Sequence, residues 1–336
     1  MTFATNNFLP IPTPDPMPLP GPVWLLLTLL LLTFLLHLLA MNLTVGGTLI
    51  ALVCARQRKR DGFAAQLATS LLQILPTSLA FTITLGVAAL LFVQVLYGNL
   101  LYASSILIAA FWFAVIPTVM LAYYGLYCAK SRPSKLAPPV VSFLLLLGIG
   151  FVYVNNMTLM LSPQRWLSLY RHDASGWNLN WSEPTLAPRY LHMMLGAVAI
   201  AGFCIFAAGV WKRSTDYGQW MLRQGSRWFV APTIVNYVVG MWFLMALPRP
   251  VLIDLFTSGP LAAILIGMGM LLPLAAVVHV VLAARTEKTR LHARLAVVTT
   301  LLTMIVMVVL RQVVRTAYVD PFLRLRELPV QPQWSV

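Results

Sequence analysis

The residues of this chain best suited to do chemistry are its five histidines, His37, His172, His192, His279 and His292. Three of them, His37, His192 and His279, lie inside long apolar runs. An ionisable side chain at bilayer depth is costly, so each is a candidate functional group. A buried imidazole suits haem iron, usually opposite another histidine or a methionine. The competing reading is a neutral imidazole bonded to a neighbouring helix. His37 opens HLLAMNLTVGGTLIA (His37–Ala51), where Thr44, Gly46, Gly47 and Thr48 follow it. Small residues on a membrane helix let either a second helix or a flat ligand approach the backbone. His192 sits in PRYLHMMLGAVAIAG (Pro188–Gly202), again followed by small residues. His279 falls near the end of its run, as a ligand or as a packed residue. His172 and His292 fall in connections and are expected to be solvated.

Two further residues join this set. In LIGMGMLLP (Leu265–Pro273), Met268 and Met270 alternate with glycines. A thioether there could reach an iron, or the glycines could mark a close helix contact. In VVLRQVVRTAYV (Val308–Val319), Arg311 and Gln312 lie near the end of an apolar run, at about the depth of His192. A buried guanidinium wants an anion, and a haem propionate would satisfy it; snorkelling to the interface is the alternative. Three cysteines, Cys54, Cys128 and Cys204, form no CxxCH motif and no zinc or iron–sulfur spacing.

The elements that must position these residues are membrane helices. Of the 336 residues 60% are hydrophobic and 10% charged, far from the quarter of charged residues usual in soluble domains. A crossing needs about 20 apolar residues, and the chain holds eight such stretches, over residues 23–55, 64–97, 102–128, 138–160, 188–211, 228–247, 255–284 and 295–317. The expected fold is all-α, a polytopic membrane protein with eight transmembrane helices. A Pro-rich segment, 1–22, precedes them and a polar tail, 318–336, follows. Residues 161–187, with Trp166, Tyr170, Trp177 and Trp181, form the longest connection and suit the membrane–water boundary. Gly98-Asn99 reads as the tight link between the second and third spans.

Orientation follows from charge. The net charge of +14 does not point to nucleic acid, because most of the 23 Lys and Arg fall in alternate short connections. These are Arg56–Arg60, Lys130–Lys135, Lys212–Arg227 and Arg285–Arg294. The positive-inside rule puts that side in the cytoplasm and both termini outside.

Four stretches together resemble subunit I of the cytochrome bd quinol oxidases. HLLAMNLTVGGTLIA resembles that family's first-helix histidine segment, and TLGVAALLFVQVLYGN (Thr84–Asn99) the end of its second helix. NNMTLMLSPQRW (Asn155–Trp166) and EPTLAPRYLHMM (Glu183–Met194) resemble the loop before its fifth helix and the histidine that follows; Arg311-Gln312 resembles a pair in its eighth. The resemblance implies two four-helix bundles, residues 23–160 and 188–317, holding haem b. It makes His37 the axial ligand at the family's oxygen site and His192 a ligand of a low-spin haem b, with Arg189 matching a basic residue beside it. The family's second low-spin ligand is a methionine; Leu265 falls there, and Met268, one turn on, is the substitute.

The departures shape the expected function. Gln94, Ala109 or Ala110, and Val308 stand where the family has glutamates, and its long quinol-binding loop is reduced here to about ten residues around Pro248 and Asp254. Reducing oxygen consumes protons that carboxylates would relay. The expectation is therefore a haem b subunit of the bacterial inner membrane, part of a quinol-linked oxidoreductase. It would move electrons between quinone or quinol and an outside partner such as a multihaem cytochrome c or an iron–sulfur protein. The alternatives are a terminal quinol oxidase subunit and a haem-free membrane anchor or transporter.

Overall fold

The computed structural model describes residues 18–257, 259–286 and 288–331. Among these residues the fold is all-α, with no strand. Ten helices follow one another: α1 (Val23–Gln57), α2 (Gly62–Leu107), α3 (Ala109–Ser131), α4 (Ala137–Met160), α5 (Trp166–His172), α6 (Leu186–Trp211), α7 (Asp216–Met245), α8 (Arg249–Thr257), α9 (Pro260–Arg285) and α10 (Thr289–Val319). All but α5 and α8 are long and apolar enough to cross a membrane, which makes 8 candidate spans. In hydrocarbon every backbone polar group must be paired internally, and long helices do this within one segment. Polar side chains start two of them: the Asp61 carboxylate accepts from the amides of Phe63 and Ala64, and the Thr215 hydroxyl from that of Gly218.

The spans form two four-helix bundles, α1–α4 and α6, α7, α9 and α10, joined chiefly where α1 crosses α6. The small residues after His37 make that crossing. A Cβ on Gly46 would stand 2.2 Å from the Ala197 carbonyl oxygen, so the α1 and α6 backbones touch. The space at Gly46 is filled by a helix. Glycines do the same between α6 and α7, where Gly202 lies on Trp228 and Gly225 on Phe206. Within the first bundle, Thr44 bonds Ser78 at 2.8 Å and Thr82 at 3.1 Å through their hydroxyls. Such side-chain bonds hold membrane helices together where no hydrophobic force separates helix from lipid.

Several sequence expectations need correction. Gly98-Asn99 is not a turn. α2 runs on to Leu107 after a break at Tyr97, and the chain reverses at Ile108. The extension is held because Leu100, Leu101, Ser104 and Leu107 are buried. The 161–187 connection covers it: Asn178 donates its amide and its side-chain Nδ2 to Leu107 O, each at 3.2 Å. In that connection Tyr170, Trp177 and Trp181 are exposed, as an interfacial segment requires. Trp166 is buried instead and donates Nε1–H to Leu159 O at 2.9 Å. The seventh span is interrupted at Gly259 (φ 130°), which separates α8 from α9. His292 is in the first turn of α10, not in a solvated loop.

The two chain ends meet. Leu19 donates its amide to Pro329 O at 2.8 Å and accepts from Gln331 at 3.0 Å. Both ends of the described residues therefore lie on one side of the bundles, as an even number of crossings demands. Most of the Pro-rich segment, residues 1–17, lies outside the described residues, as do 332–336 of the tail.

Candidate functional site

His37 is built into the α1–α2 interface. Its Nδ1 is 2.9 Å from the carbonyl oxygen of Thr82. A carbonyl only accepts, so Nδ1 carries the proton and Nε2 is left with its lone pair. The ring fits because α2 has no side chain opposite it: a Cβ on Gly86 would come within 2.8 Å of Cε1 and Nδ1. Nε2 has no hydrogen-bond partner among the described residues. Metal-ligating histidines carry just this arrangement, one nitrogen anchored and the other free.

Beyond His37 stands Phe34, its ring centroid 6.2 Å from the imidazole. On Phe34 lies the Arg311 guanidinium, 4.2 Å from the ring centroid. Arg311 shares a small cleft with Arg189, Arg315, Met157, Met160 and Leu161, where the end of α4, the start of α6 and the last turns of α10 converge. Arg315 is 6% exposed. Arg189 stacks on Phe243 at 5.0 Å, and its Nε and Nη2 are buried with no hydrogen-bond partner. The Tyr318 hydroxyl, also buried, has none. No ion pair reaches any of the three arginines among the described residues. Glu183, the acid nearest to Arg189 in sequence, lies 3.9 Å from Arg165 and accepts from the Thr185 hydroxyl at 2.7 Å. Among the described residues Glu183 is the one acid whose charge reaches Arg189, and none reaches Arg311 or Arg315. Three guanidiniums out of bulk water with so little counter-charge are costly, so the cleft is complementary to an anion.

His192 points into the second bundle. It lies in helical register with Ala199, Phe203 and Phe206, the residues that α6 contributes to that bundle's buried core. That core, with Phe206, Phe229, Ala276, Val280 and Ala296, occupies the half away from the chain ends and stops about two turns short of His192. Gly240 of α7 faces the His192 ring, at 3.5 Å from a would-be Cβ. At this α6–α7 interface His192 adjoins the backbone and side chain of Asn236, while its Nδ1 and Asn236 Oδ1 are buried without a well-formed hydrogen bond.

Met268 is not brought to His192. Leu261, Ile264, Met268 and Leu271, three and four residues apart, form one exposed stripe on α9. Gly269, beside it, contacts Met307 and Leu310 of α10. Gly269 thus serves helix packing, a Cβ on Gly267 would meet nothing within 4 Å, and Met268 faces outward. Leu265, at the position of the resembling family's methionine, is buried.

His279 belongs elsewhere. It meets His292 at the opposite end of α9 and α10, Nδ1 to Nδ1 at 3.3 Å with ring centroids 5.5 Å apart. The centroid separation is nearly the nitrogen–nitrogen distance plus two ring radii, so the rings meet edge to edge and share one proton. Nitrogen lone pairs aimed along one line suit a hydrogen bond, whereas the lone pairs of two ligands on one tetrahedral metal converge at an angle. Among the described residues no group of three or more His, Cys, Asp or Glu could hold a metal ion.

The structure thus places His37, Arg311, Arg189 and His192 around one region where the two bundles join, and sets Met268 and His279 apart. Sequence reading missed Gly86, Phe34, Arg315, Asn236 and Gly240. Arg315 carried a signal, since it follows Arg311 by one helical turn and shares its face. In donor chemistry the residues present fit an iron porphyrin: one imidazole with anchored Nδ1 and free Nε2, a second at the α6–α7 interface, and guanidiniums for carboxylates. No known protein family matches the chain, and no curated protein is significantly similar to it.

Proposed function

We propose that this chain is a haem b-binding subunit of a membrane electron-transfer complex. It passes electrons between quinone or quinol in the bilayer and a redox partner outside, such as a multihaem cytochrome c or an iron–sulfur protein, in a bacterial inner membrane. The observation that carries this reading is the arrangement about Phe34. Its ring is neighboured by an imidazole with Nδ1 fixed and Nε2 free, and by a guanidinium without a counter-ion. Bound haem would supply a one-electron iron couple, which the protein tunes through ligation, dielectric and nearby charge. His37 and His192 hold the iron positions in this reading. Arg189, Arg311 and Arg315 hold carboxylates and keep positive charge nearby. Phe34, Phe243 and the apolar ends of α4 exclude water.

Electron transfer is preferred to oxygen reduction because no carboxylate stands at Gln94, Ala109, Ala110 or Val308. Val308 is buried and Gln94 points outward, so neither position offers a proton relay to the region of His37. The acid-free cleft would also serve a haem-free anion-handling protein, and an optical spectrum separates the two.

The test is a reduced-minus-oxidised spectrum of the purified protein with pyridine haemochrome quantification, repeated for His37→Ala and His192→Ala. A haem b spectrum is expected in the wild type, with haem lost from each variant. Wild-type haem content in both variants, or a protein without haem, would overturn the proposal.

A further inference from the structure

α2 leaves helical geometry at Tyr97 (φ −130°, ψ 28°). The break aims a side chain that is 1% exposed towards α10. The Tyr97 hydroxyl accepts a hydrogen bond from Gln312 Nε2 at 2.7 Å. Gln312 Oε1 accepts one from Arg315 Nη1 at 3.1 Å. The Arg315 guanidinium also lies over the Tyr97 ring, 5.2 Å from its centroid. Arg315 is thus held on its face by the ring and on one edge by the amide. Most of its five N–H donors remain for the cleft it shares with Arg189 and Arg311.

This arrangement does more than hold α2 against α10. A leucine or phenylalanine at 97 would fill the same space, and a buried polar chain is stabilising only when each member is satisfied. Here the chain ends on a cation whose remaining donors have no acid to meet. A planar guanidinium recognises a carboxylate through two parallel bonds, and one already fixed in direction loses little freedom on doing so. The two neighbouring guanidiniums supply charge, with Arg311 held by Phe34 and Arg189 by Phe243. All three are stacked on aromatic rings, which leaves their edges for a ligand.

We propose that Arg315 is a recognition residue for the carboxylates bound in this cleft, and that Tyr97 and Gln312 are the positioning residues that aim it. The proposal takes its ligand from the haem reading above. The chemistry requires only an anion with carboxylate geometry, so the two can fail separately.

The experiment uses the full-length purified protein as wild type, Tyr97→Phe, Arg315→Gln and Tyr97→Phe/Arg315→Gln. Haem content and the midpoint potential across a pH series are read on each. Tyr97→Phe is expected to keep its haem and shift to a lower potential, because a fixed positive charge near the iron favours the reduced state. Its potential should also become more dependent on pH, as the less well-held carboxylate takes up a proton on reduction. Arg315→Gln should shift further, and the double variant no further than Arg315→Gln. An unchanged potential and pH profile in Arg315→Gln, or full additivity of the two changes, overturns the proposal. A second arm needs no haem: melting temperature of the haem-free protein in malonate against chloride at equal ionic strength. Wild type should gain stability in malonate, Tyr97→Phe less, Arg315→Gln none. Absence of any gain in the wild type overturns the proposal, whereas a gain in a protein that never binds haem overturns only the haem reading. Should Arg315→Gln fail to fold, Arg315→Lys keeps the charge and removes the planar fork. Its potential should then fall less than that of Tyr97→Phe/Arg315→Gln, while the gain in malonate should drop below that of the wild type, and a wild-type gain overturns the proposal.

Discussion

At Gly86 one methyl group decides the direction in which His37 faces. A Cβ there would stand 2.8 Å from two ring atoms, closer than any contact allows, and the imidazole is the part free to move. Turning it breaks the bond to Thr82 O. Gly86→Ala is therefore expected to cost about 1 kcal/mol of stability and to lose or spectrally alter the haem assigned to His37. Glycine also disfavours helix by about 1 kcal/mol relative to alanine, so the net change in melting temperature should be small. A wild-type absorption spectrum in Gly86→Ala would show that the His37 ring is not held there for a ligand. None of this was legible from His37 itself. The partner lies 49 positions on in the chain, and only the register of α1 against α2 brings it near. Met268 illustrates the same gap. Its glycine neighbours suggested room for a ligand, but rotation about the α9 axis, which hydropathy does not encode in an all-apolar helix, turns it outward.

Elements were legible where length and hydropathy set them, and less so where packing does. The eight spans follow from apolar runs longer than a bilayer is thick, and the structure has them. The end of α2 does not follow. Tyr97-Gly98-Asn99 has the composition of a turn, yet burial of Leu100, Leu101, Ser104 and Leu107 beneath the 161–187 connection carries the helix on. Nor could sequence choose between helix and ligand as the occupant of the space at Gly46. The Ala197 carbonyl stands there, and the α1–α6 crossing that joins the bundles depends on it. Gly46→Leu should force the two backbones apart at a cost of about 3 kcal/mol or more. Because the crossing lies between the bundles, both candidate histidines should be disturbed. A clear fall in melting temperature is expected, together with lost haem from both positions. A variant as stable as the wild type would mean that the bundles are joined elsewhere.

For the whole molecule, two independent features bear on how it sits in a membrane. The pairing of Leu19 with Pro329 and Gln331 brings both ends of the described residues to one side. The basic stretches Arg56–Arg60, Lys130–Lys135, Lys212–Arg227 and Arg285–Arg294 span the junctions of α1 with α2, α3 with α4, α6 with α7 and α9 with α10 and run into the adjoining helix ends, all on the other side. Geometry thus fixes which ends go together, and charge alone chooses which side is cytoplasmic. The arginine cleft, at the start of α6 and the last turns of α10, lies on the side of the termini, and so does the aromatic connection with exposed Trp177 and Trp181. If that side is extracytoplasmic, the redox group proposed for this cleft would lie nearer an outside partner than a cytoplasmic one. The His279–His292 pair then marks the cytoplasmic ends of α9 and α10. A reporter active only outside the cytoplasm, fused after Val336, should be active, and so should the same reporter placed ahead of Pro22. One fused within Lys130–Lys135 should be silent. Activity at one terminus alone would break the shared side that the pairing of Leu19 requires. Silence at both, with activity at Lys130–Lys135, would keep the fold, invert the protein in the membrane, and turn the arginine cleft and its electron partner to the cytoplasm.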